Sequence, residues 1–339
     1  MTMRNAFRWL CALALASMLA GCSSEEPPPD GGKPRYRVAL VMKSLANEFF
    51  KTMEDGARAH ARKDPSRYEL ISNGIKDERD VNGQIAIVEQ MIAQKVNALV
   101  IAPADSKALV PVCKRAADAG IVVVNIDNEL DEKTLEEKGT KIPFVGPNNR
   151  LGARSAGDYL AKRLKPGDTV AIVEGMPGAD NGTMRKMGFE AAMNAAEIKV
   201  AASQTGYWET DKAEKAVSGM LTQHPDLKGI LCANDSMALG AVAALKAAGK
   251  LGSVLVVGYD NISAIQELIL DGRVLCTVDQ HADQIAVEGI RHALDILDGH
   301  VPPEQSDRKQ TKVDLIDAEA LKRKAAEAKA TEGEAAEPK

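Results

Sequence analysis

The chain has 339 residues, a formal net charge of −5 at pH 7 and an aromatic content of only 4%. This length favours about two domains. The net charge is acidic and no basic stripe runs along the sequence, so we expect no nucleic-acid partner. Beyond the N-terminal stretch, no segment is apolar and long enough to span a membrane.

The N-terminus has the pattern of an export signal. Arg4 and Arg8 precede an apolar stretch, Trp9–Ala20, which is too short for a stable bilayer anchor. The stretch ends in the letters LAGC at positions 19–22, which have the form of a bacterial lipobox. The alternative is an ordinary secretory signal that happens to carry a cysteine. We predict that Cys22 is lipidated and that the exported chain is held on a membrane, facing the periplasm.

Both ends of the mature chain have compositions that do not support a packed core. Residues 22–34 contain Pro27, Pro28 and Pro29 and two glycines, and they are predicted to form a flexible linker after a signal peptide of residues 1–21. Residues 323–339 are rich in Ala, Glu and Lys and have no apolar face. We predict a disordered tail there, or a frayed helix.

Between these ends, apolar runs of strand length recur at regular intervals. They are continuous rather than alternating, which is typical of strands buried on both faces of a parallel sheet. The predicted strands are Tyr36–Met42, Tyr68–Ser72, Ala98–Ala102, Val122–Ile126, Thr169–Glu174, Lys199–Gln204, Gly229–Ala233, Val254–Tyr259 and Val274–Val278, with a further short one at Thr311–Leu315.

Segments with helical periodicity separate the strands, and the alternation indicates a doubly wound α/β fold. Two such units follow one another, the first ending near Pro147 and the second near Gln280. The predicted helices are Asn47–Arg62, Asp80–Gln94, Lys107–Ala119, Arg150–Lys165, Asn181–Ala195, Thr210–Gln223, Asp235–Ala248, Ser263–Asp271 and Asp283–Leu297.

Polar and aromatic residues follow these strands at the positions where open α/β sheets bind ligands, the carboxyl ends. Phe7 and Trp9 lie in the signal, and of the ten aromatic residues that remain, five lie at or beside strand ends. The residues at or beside these positions include Asp105, Tyr207, Asp235, Tyr259 and Asp279, and the ten that we select as ligand-binding are Asn47, Phe49, Phe50, Asp127, Asn128, Arg185, Trp208, Asn234, Asp260 and Gln280.

Aromatic rings surrounded by amides, carboxylates and an arginine suit a sugar. The rings stack on its C–H faces and the planar polar groups meet its hydroxyls. We expect one of Phe49 and Phe50 to pack inside and the other to cover the ligand, with Trp208 on the opposite face. Purely structural roles remain open: a core position for either phenylalanine, a helix cap for Asp235, turn positions for Asp127 and Asp260, and a surface position for Arg185.

Enzymatic function has little support in the motifs. The sequence contains no Gly-x-Ser-x-Gly elbow, no P-loop and no Gly-x-Gly-x-x-Gly turn after its first strand. Asp127 and Asp260 could face each other as glycosidase carboxylates, but amides and Arg185 favour hydrogen bonding to hydroxyls over proton transfer. We expect no catalysis, no cofactor and no metal. Cys113, Cys232 and Cys276 each lie in an apolar run, which favours buried free thiols. One disulfide with one remaining thiol is the alternative.

Several segments, in order, carry a resemblance to a known family. They are ALV followed by NEFF around Phe49, PADS at 103–106, AGDYL at 156–160, ANDSMALG at 233–240, VGYD at 257–260 and Gln280. From about Tyr36 to Leu321 the sequence resembles the periplasmic ribose-binding proteins, which are type I sugar-binding components of ABC importers. Transcriptional repressors share this core, but no helix-turn-helix precedes the first strand.

The resemblance implies a role for each matching position. It implies ligand contacts from Asn47 and Asp127, ring stacking from Phe49 or Phe50 and Trp208, and hydrogen bonds from Arg185, Asn234, Asp260 and Gln280. Asn128 stands beside Asp127 where ribose binders have an arginine, and we include it in the ligand-binding set. Glu48 replaces a small residue or proline, and Trp208 replaces a phenylalanine. These departures leave a pentose, a hexose or a polyol equally open.

The resemblance also implies a monomer of two lobes that close on the ligand about three hinge crossings. We place the crossings near Gly146-Pro147, near Gln280-His281 and near residues 307–309. The N-terminal lobe is then 35–146 plus 281–308, and the C-terminal lobe 147–280 plus 309–322. The closed form would deliver a small neutral sugar or polyol to an ABC permease. A sensor that presents the sugar to a signalling receptor is the alternative.

Overall fold

The computed structural model of the protein describes residues 36–302 and 308–335, with side chains up to 329. The predicted signal peptide, Cys22 and the linker lie outside the described residues. Within the described ranges, no helix combines the length and the hydropathy that a membrane span requires.

Twelve strands and eleven helices alternate along the described part of the chain. The strands are β1 (Tyr36–Met42), β2 (Tyr68–Gly74), β3 (Ala98–Ile101), β4 (Val122–Ile126), β5 (Phe144–Pro147), β6 (Thr169–Glu174), β7 (Lys199–Thr205), β8 (Gly229–Cys232), β9 (Leu255–Val257), β10 (Thr277–Asp279), β11 (Lys309–Thr311) and β12 (Asp314–Ile316).

The helices cover the faces of the sheets, and nine of the eleven correspond to predicted segments, whereas α4 and α11 were not among the predicted helices. The helices are α1 (Glu48–Lys63), α2 (Val81–Ala93), α3 (Val110–Asp118), α4 (Glu132–Glu137), α5 (Asn149–Ala161), α6 (Asp180–Ala195), α7 (Thr210–Gln223), α8 (Asp235–Ala247), α9 (Ser263–Leu270), α10 (Ala282–Leu297) and α11 (Ala318–Ala335).

Ten of the twelve strands form two similar parallel sheets, one in each lobe, and β10 and β12 form a separate antiparallel pair. The first sheet has the order β2-β1-β3-β4-β5-β11, and the second has the order β7-β6-β8-β9. A single parallel bridge from Val257 to Cys276, just before β10, continues the second sheet. Both sheets therefore repeat the doubly wound order in which the first strand lies between the second and the third. The central strands β1, β3, β6 and β8 are buried on both faces, as their continuous apolar sequences predict.

The chain crosses between the lobes three times. The first crossing follows β5, and the second lies between β10 of the second lobe and α10, which packs on β3 and β4 of the first. The third crossing differs from the prediction. Because β11 pairs with β5, residues 309–311 belong to the first lobe, and the crossing lies at Lys312 and Val313, before β12 pairs with β10.

Close packing of α5 on α6 shows why some small residues are required in the second lobe. A Cβ atom added at Gly188 would lie 2.4 Å from the backbone oxygen of Arg150. That distance is far inside van der Waals contact, so only glycine allows the two helices to approach this closely. The same two helices carry Asn149 and Arg185, and their spacing fixes the position of these side chains relative to each other.

Of the two predicted alternatives for the C-terminal end, a disordered tail or a frayed helix, the structure shows a helix as far as Ala335. Within this helix, α11, Lys324 Nζ donates to Asp279 Oδ2 at 3.2 Å. The segment is rich in Ala, Glu and Lys, which are strong helix formers even without an apolar face. The open question on the cysteines is also answered, because Cys113, Cys232 and Cys276 are all buried free thiols.

Candidate ligand-binding site

A small cleft lies between the lobes at the carboxyl ends of both sheets. The space between its walls is about 250 Å³, including the part that opens to solvent. Nine of the ten predicted binding residues line it, together with three others. The lining residues are Lys43, Asn47, Phe49, Phe50, Glu78, Asp127, Asn181, Arg185, Trp208, Asn234, Asp260 and Gln280.

The first lobe contributes an amide and two aromatic rings from the start of α1. Asn47 caps the helix, because its Oδ1 accepts from the backbone N–H of Phe49 at 3.1 Å. Phe49 and Phe50 pack edge to face with ring centroids 5.1 Å apart, and each is only 3% exposed. Both rings therefore belong to the core and to the cleft wall. The prediction had placed one ring in the core and only the other against the ligand.

A buried charged cluster lies beside these rings. Lys43 Nζ is 3.5 Å from Asp127 Oδ2, and both side chains are almost wholly buried. Asn47 Nδ2 donates to Glu78 Oε1 at 3.4 Å. Burial raises the pKa of Glu78 to about 7, and the charge of Lys43 partly offsets this effect. A cation, a carboxylate and a carboxyl that titrates near neutrality thus line one wall.

Trp208 forms the aromatic surface of the second lobe. It follows β7, is 6% exposed and has a backbone φ of 65°. A Cβ atom at Gly175 would lie 2.0 Å from the Trp208 ring, so the absence of a side chain there makes room for the indole. Lys43 Nζ lies 5.8 Å from this ring and 5.6 Å from that of Phe50. Rings from the two lobes therefore lie near one cation.

Arg185 organises the polar wall of the second lobe. Its guanidinium stacks on Tyr259 with Cζ 3.8 Å from the ring centroid. Its Nε donates to Asn149 Oδ1 at 2.8 Å and its Nη1 to the Ala233 carbonyl at 2.8 Å. Nη1 also lies 3.4 Å from Asp260 Oδ1. These contacts hold Arg185 rigidly, and a surface position for this residue is excluded because it is only 2% exposed.

Asp260 lies at the centre of that wall. It accepts from Gln280 Nε2 at 2.7 Å. Burial raises the pKa of Asp260 well above its usual range, although the guanidinium of Arg185 opposes this shift. Asn234 caps α8 by accepting from Met237 N–H at 2.9 Å. Asp235, which was predicted as a possible cap, is instead fully buried and accepts from Ile262 N–H and the Thr277 hydroxyl.

Several polar atoms in the lining make no hydrogen bond within the described part of the chain. Four are acceptors and one, the indole nitrogen, is a donor. They are Glu78 Oε2, Asp127 Oδ2, Asn181 Oδ1, Gln280 Oε1 and Trp208 Nε1. Asp127 Oδ2 has the ion pair with Lys43 but no hydrogen bond. A buried polar atom without a hydrogen bond costs free energy, so a concentration of such atoms around one space indicates a ligand that supplies the hydrogen bonds.

The backbone is strained at the same strand ends. Of eight non-glycine residues with positive φ in the described ranges, six follow strands that face the cleft. Such conformations cost free energy and cluster at functional sites. The six are Asp127, Tyr207, Trp208, Asp260, Asn261 and His281.

Asn128 is the one predicted binding residue that does not line the cleft. It is fully buried, and its Nδ2 donates to the Pro103 carbonyl at 2.8 Å. Its Oδ1 accepts from the backbone N–H of Asn181 at 3.0 Å, across the boundary between the lobes. Asp127 has a φ of 61°, which turns the chain so that Asp127 and Asn128 face different surroundings. The Asn128 side chain therefore makes its hydrogen bonds within the protein and does not face the ligand space.

Lys43 and Glu78 were missed by the sequence analysis. Lys43 directly follows β1 and Glu78 follows β2, so the strand-end rule applied to them as well. Charged residues at such positions usually lie in solvent, and only the fold brings Asp127 next to Lys43. Asn181, named above only as the first residue of a predicted helix, also lies in the lining.

Fold and site together define a two-lobed protein that encloses a small ligand between its lobes. Residues 38–300 match the periplasmic binding protein domain family. A D-ribose/D-allose-binding protein of Pseudomonas aeruginosa is 56% identical over 314 residues, covering 90% of this chain and 97% of its own length. A ribose import binding protein of Escherichia coli is 33% identical over 285 residues, covering 84% of this chain and 93% of its own.

Solved structures agree with this match. A solute-binding protein of an ABC transporter from Burkholderia multivorans superposes with a TM-score of 0.82 at 56% identity, covering 84% of this chain and all of its own. One from Actinobacillus succinogenes, solved with bound D-allose, superposes with a TM-score of 0.79 at 36% identity, covering 86% of this chain and all of its own. The chain belongs to the periplasmic binding proteins, and the predicted type I fold is confirmed.

Proposed function

We propose that this chain is the sugar-binding component of an ABC transporter and that it captures a neutral monosaccharide in the cleft between its lobes. The observation that carries the proposal is the set of polar atoms around that space that make no hydrogen bond within the described residues. Four of the five are acceptors, and a sugar offers several hydroxyl donors, each of which can also accept a hydrogen bond. The aromatic rings of Phe50 and Trp208 supply faces for its C–H groups.

The charge of the lining favours a neutral ligand over an anionic one. Glu78, Asp127 and Asp260 contribute three carboxyl groups, whereas Lys43 and Arg185 contribute two cations. Both cations already lie close to Asp127 and Asp260. A phosphate or carboxylate on the ligand would therefore meet carboxyl groups whose nearest counter-charges are in use.

The names of the relatives narrow the chemical class further. D-ribose and D-allose are the sugars in the name of the Pseudomonas aeruginosa relative, and D-allose is bound in the Actinobacillus succinogenes structure. Other solved relatives contain myo-inositol or D-fucose. We infer a pentose or hexose aldose as the ligand of this chain, with a polyol as the alternative that the same lining could hold.

Delivery and anchoring complete the proposal. Contacts from both lobes to one ligand favour the closed form, because a ligand shifts an equilibrium toward the state that it contacts better. The closed, monomeric protein would then dock on a membrane permease. Lipidation at Cys22 would hold the exported chain at the membrane through the linker of residues 22–34, facing the periplasm. We expect no catalysis, because the hydrogen bonds that Asp260 accepts from Arg185 and Gln280 hold its carboxyl group in a position suited to binding hydroxyls rather than to transferring protons.

Thermal unfolding of the soluble part, from about Lys33 onward, tests this function. The protein is first unfolded and refolded to remove any ligand carried from expression, and then heated with D-ribose, D-allose, myo-inositol or a purine nucleoside. A ligand at 100 times its Kd stabilises the fold by about 2.7 kcal/mol, which raises the melting temperature measurably. A shift with an aldose supports the proposal. A shift with the nucleoside alone would contradict it.

A further inference from the structure

Helix α9 of the second lobe begins without a cap of its own. The residue at its N-cap position is Ile262, which has no side-chain acceptor. The first N–H of the helix, on Ser263, instead donates to Glu48 Oε1 at 2.7 Å. Glu48 is the first residue of α1 and belongs to the first lobe. The acceptor that completes α9 therefore comes from the other side of the cleft.

Helix α6 shows the same arrangement. Its N-cap position is Ala179, which also offers no side-chain acceptor. The N–H of Asp180 donates to Ser106 Oγ at 3.0 Å, and the N–H of Asn181 donates to Asn128 Oδ1 at 3.0 Å. Ser106 and Asn128 both belong to the first lobe. Two helices of the second lobe thus begin on acceptors from the first.

Helices with an Asn or Asp cap of their own provide a contrast within the same chain. The N–H groups of the first turn have no partner inside a helix, and a side-chain acceptor or water must satisfy them. Asn148 accepts from Leu151 N–H at the start of α5, and Asn234 accepts from Met237 N–H at the start of α8. Those caps persist whatever the distance between the lobes. The caps of α6 and α9 require the lobes to be in contact.

We propose that Glu48, Ser106 and Asn128 are positioning residues that cap α6 and α9 across the cleft and so stabilise the closed form, raising ligand affinity without touching the ligand. The inference rests on the proposed function. None of the three lines the cleft. When the lobes separate, water replaces these acceptors at the helix N-termini. The difference in free energy between the protein caps and water therefore shifts the equilibrium toward the closed form. All ligands that bind by closure gain equally from it.

Glu48 offers the sharpest test, because it is partly exposed at the rim and its removal leaves the core intact. Glu132 is the matched control, since it is an exposed first residue of α4 in the same lobe. Loss of a helix cap costs about 1 kcal/mol, so Glu48→Ala should weaken the binding of D-ribose and of D-allose about fivefold each. The loss of affinity should appear mainly as a faster dissociation of the sugar. The dissociation rate is measured from the fluorescence of Trp208.

Two further readouts separate capping from other roles. Glu48→Gln keeps an acceptor and should recover most of the affinity, and Glu132→Ala should bind like the parent. The melting temperature of the ligand-free protein should be the same in Glu48→Ala and Glu132→Ala. A fivefold loss confined to one sugar would overturn the inference, because it would indicate direct contact with the ligand.

Equal dissociation rates in Glu48→Ala and Glu132→Ala would also overturn it. If the parent bound no sugar at all, the proposed function would fail on its own. The caps would then be tested with the solute that does raise the melting temperature, and the same fivefold loss would be required. If no solute did so, small-angle scattering of the ligand-free variants would decide. Glu48→Ala must then be more extended than Glu132→Ala, and equal radii of gyration would overturn the inference.

Discussion

Lys43 Nζ lies 3.5 Å from Asp127 Oδ2 in the wall of the cleft, and the two side chains are 3% and 2% exposed. Burying two charges is unfavourable unless each compensates the other. The pair therefore fixes Asp127 at the end of β4 and places a cation near the rings of Phe50 and Trp208. Structure and recognition depend on the same pair.

Breaking this pair should destabilise the fold more than removing it. Lys43→Met leaves the Asp127 carboxylate buried without its counter-charge, and we expect the free energy of unfolding to fall by about 3–5 kcal/mol. The double variant Lys43→Met with Asp127→Asn should recover much of this loss. Urea denaturation of the ligand-free protein measures both. If the double variant were as unstable as Lys43→Met, the charge on Asp127 would not be the cause.

Truncating Trp208 should weaken sugar binding and, because the ring is buried, should also lower the stability of the second lobe. The indole contributes stacking and buried apolar area, so Trp208→Ala should lose about 1–3 kcal/mol of binding free energy. Trp208→Phe keeps a ring and should lose less. Isothermal titration with D-allose makes the comparison. Affinity equal to that of the parent in Trp208→Ala would rule out the aromatic surface as a ligand contact.

Gly175 should matter only through Trp208. A methyl group at this position would lie 2.0 Å from the indole, so Gly175→Ala should displace the ring and weaken binding by an amount similar to Trp208→Ala. Gly219→Ala is the control, because a Cβ there meets nothing within 4 Å and alanine favours the α7 helix by about 1 kcal/mol. In the Trp208→Ala background, Gly175→Ala should have little further effect, and a full additive loss would show that Gly175 acts by another route.

Glu78 should make stability depend on pH in a defined direction. The pKa of its carboxyl is raised from 4.5 to about 7 by burial, so the folded protein holds a proton that the unfolded chain releases between these values. The unfolding free energy therefore falls as the pH rises from about 4.5 to 7, by about 3 kcal/mol in total.

Glu78→Gln provides the comparison for this effect. The pKa values of Asp235 and Asp260 are also raised, so these groups make the unfolding free energy fall with rising pH as well. The difference in unfolding free energy between the parent and Glu78→Gln isolates the contribution of Glu78. Relative to the variant, the parent should be more stable at pH 5 than at pH 8, as measured by urea denaturation. A difference that stays constant over this range would mean that the pKa of Glu78 is not raised.

The sequence allowed the fold to be predicted where strands are buried and apolar. The bounds of β1, β4 and β6 match the prediction residue for residue, because continuous apolar runs have clear ends. Strands β5 and β11 were not predicted as such. The first is four residues long and contains Gly146 and Pro147, and the second is a polar strand at the edge of its sheet, so neither has a hydrophobic pattern.

The site could be predicted in part, for a related reason. Residues that follow strands in a doubly wound fold converge, and nine of the ten predicted residues line the cleft. Which of two neighbours faces the ligand depends on backbone turns that composition does not reveal, as Asp127 and Asn128 show. Lys43 could be predicted as a cleft residue only if its contact with Asp127, which is distant in sequence, were known. That contact exists only in the folded chain.

The central claim is that the cleft binds a neutral monosaccharide, and isothermal titration of the refolded soluble part tests it most directly. D-ribose, D-allose and D-ribose 5-phosphate would be titrated in turn under the same buffer conditions. We predict that at least one neutral sugar binds with a stoichiometry of one and that the phosphorylated sugar does not bind. No heat of binding with either neutral sugar, together with binding of the phosphorylated one, would contradict the account.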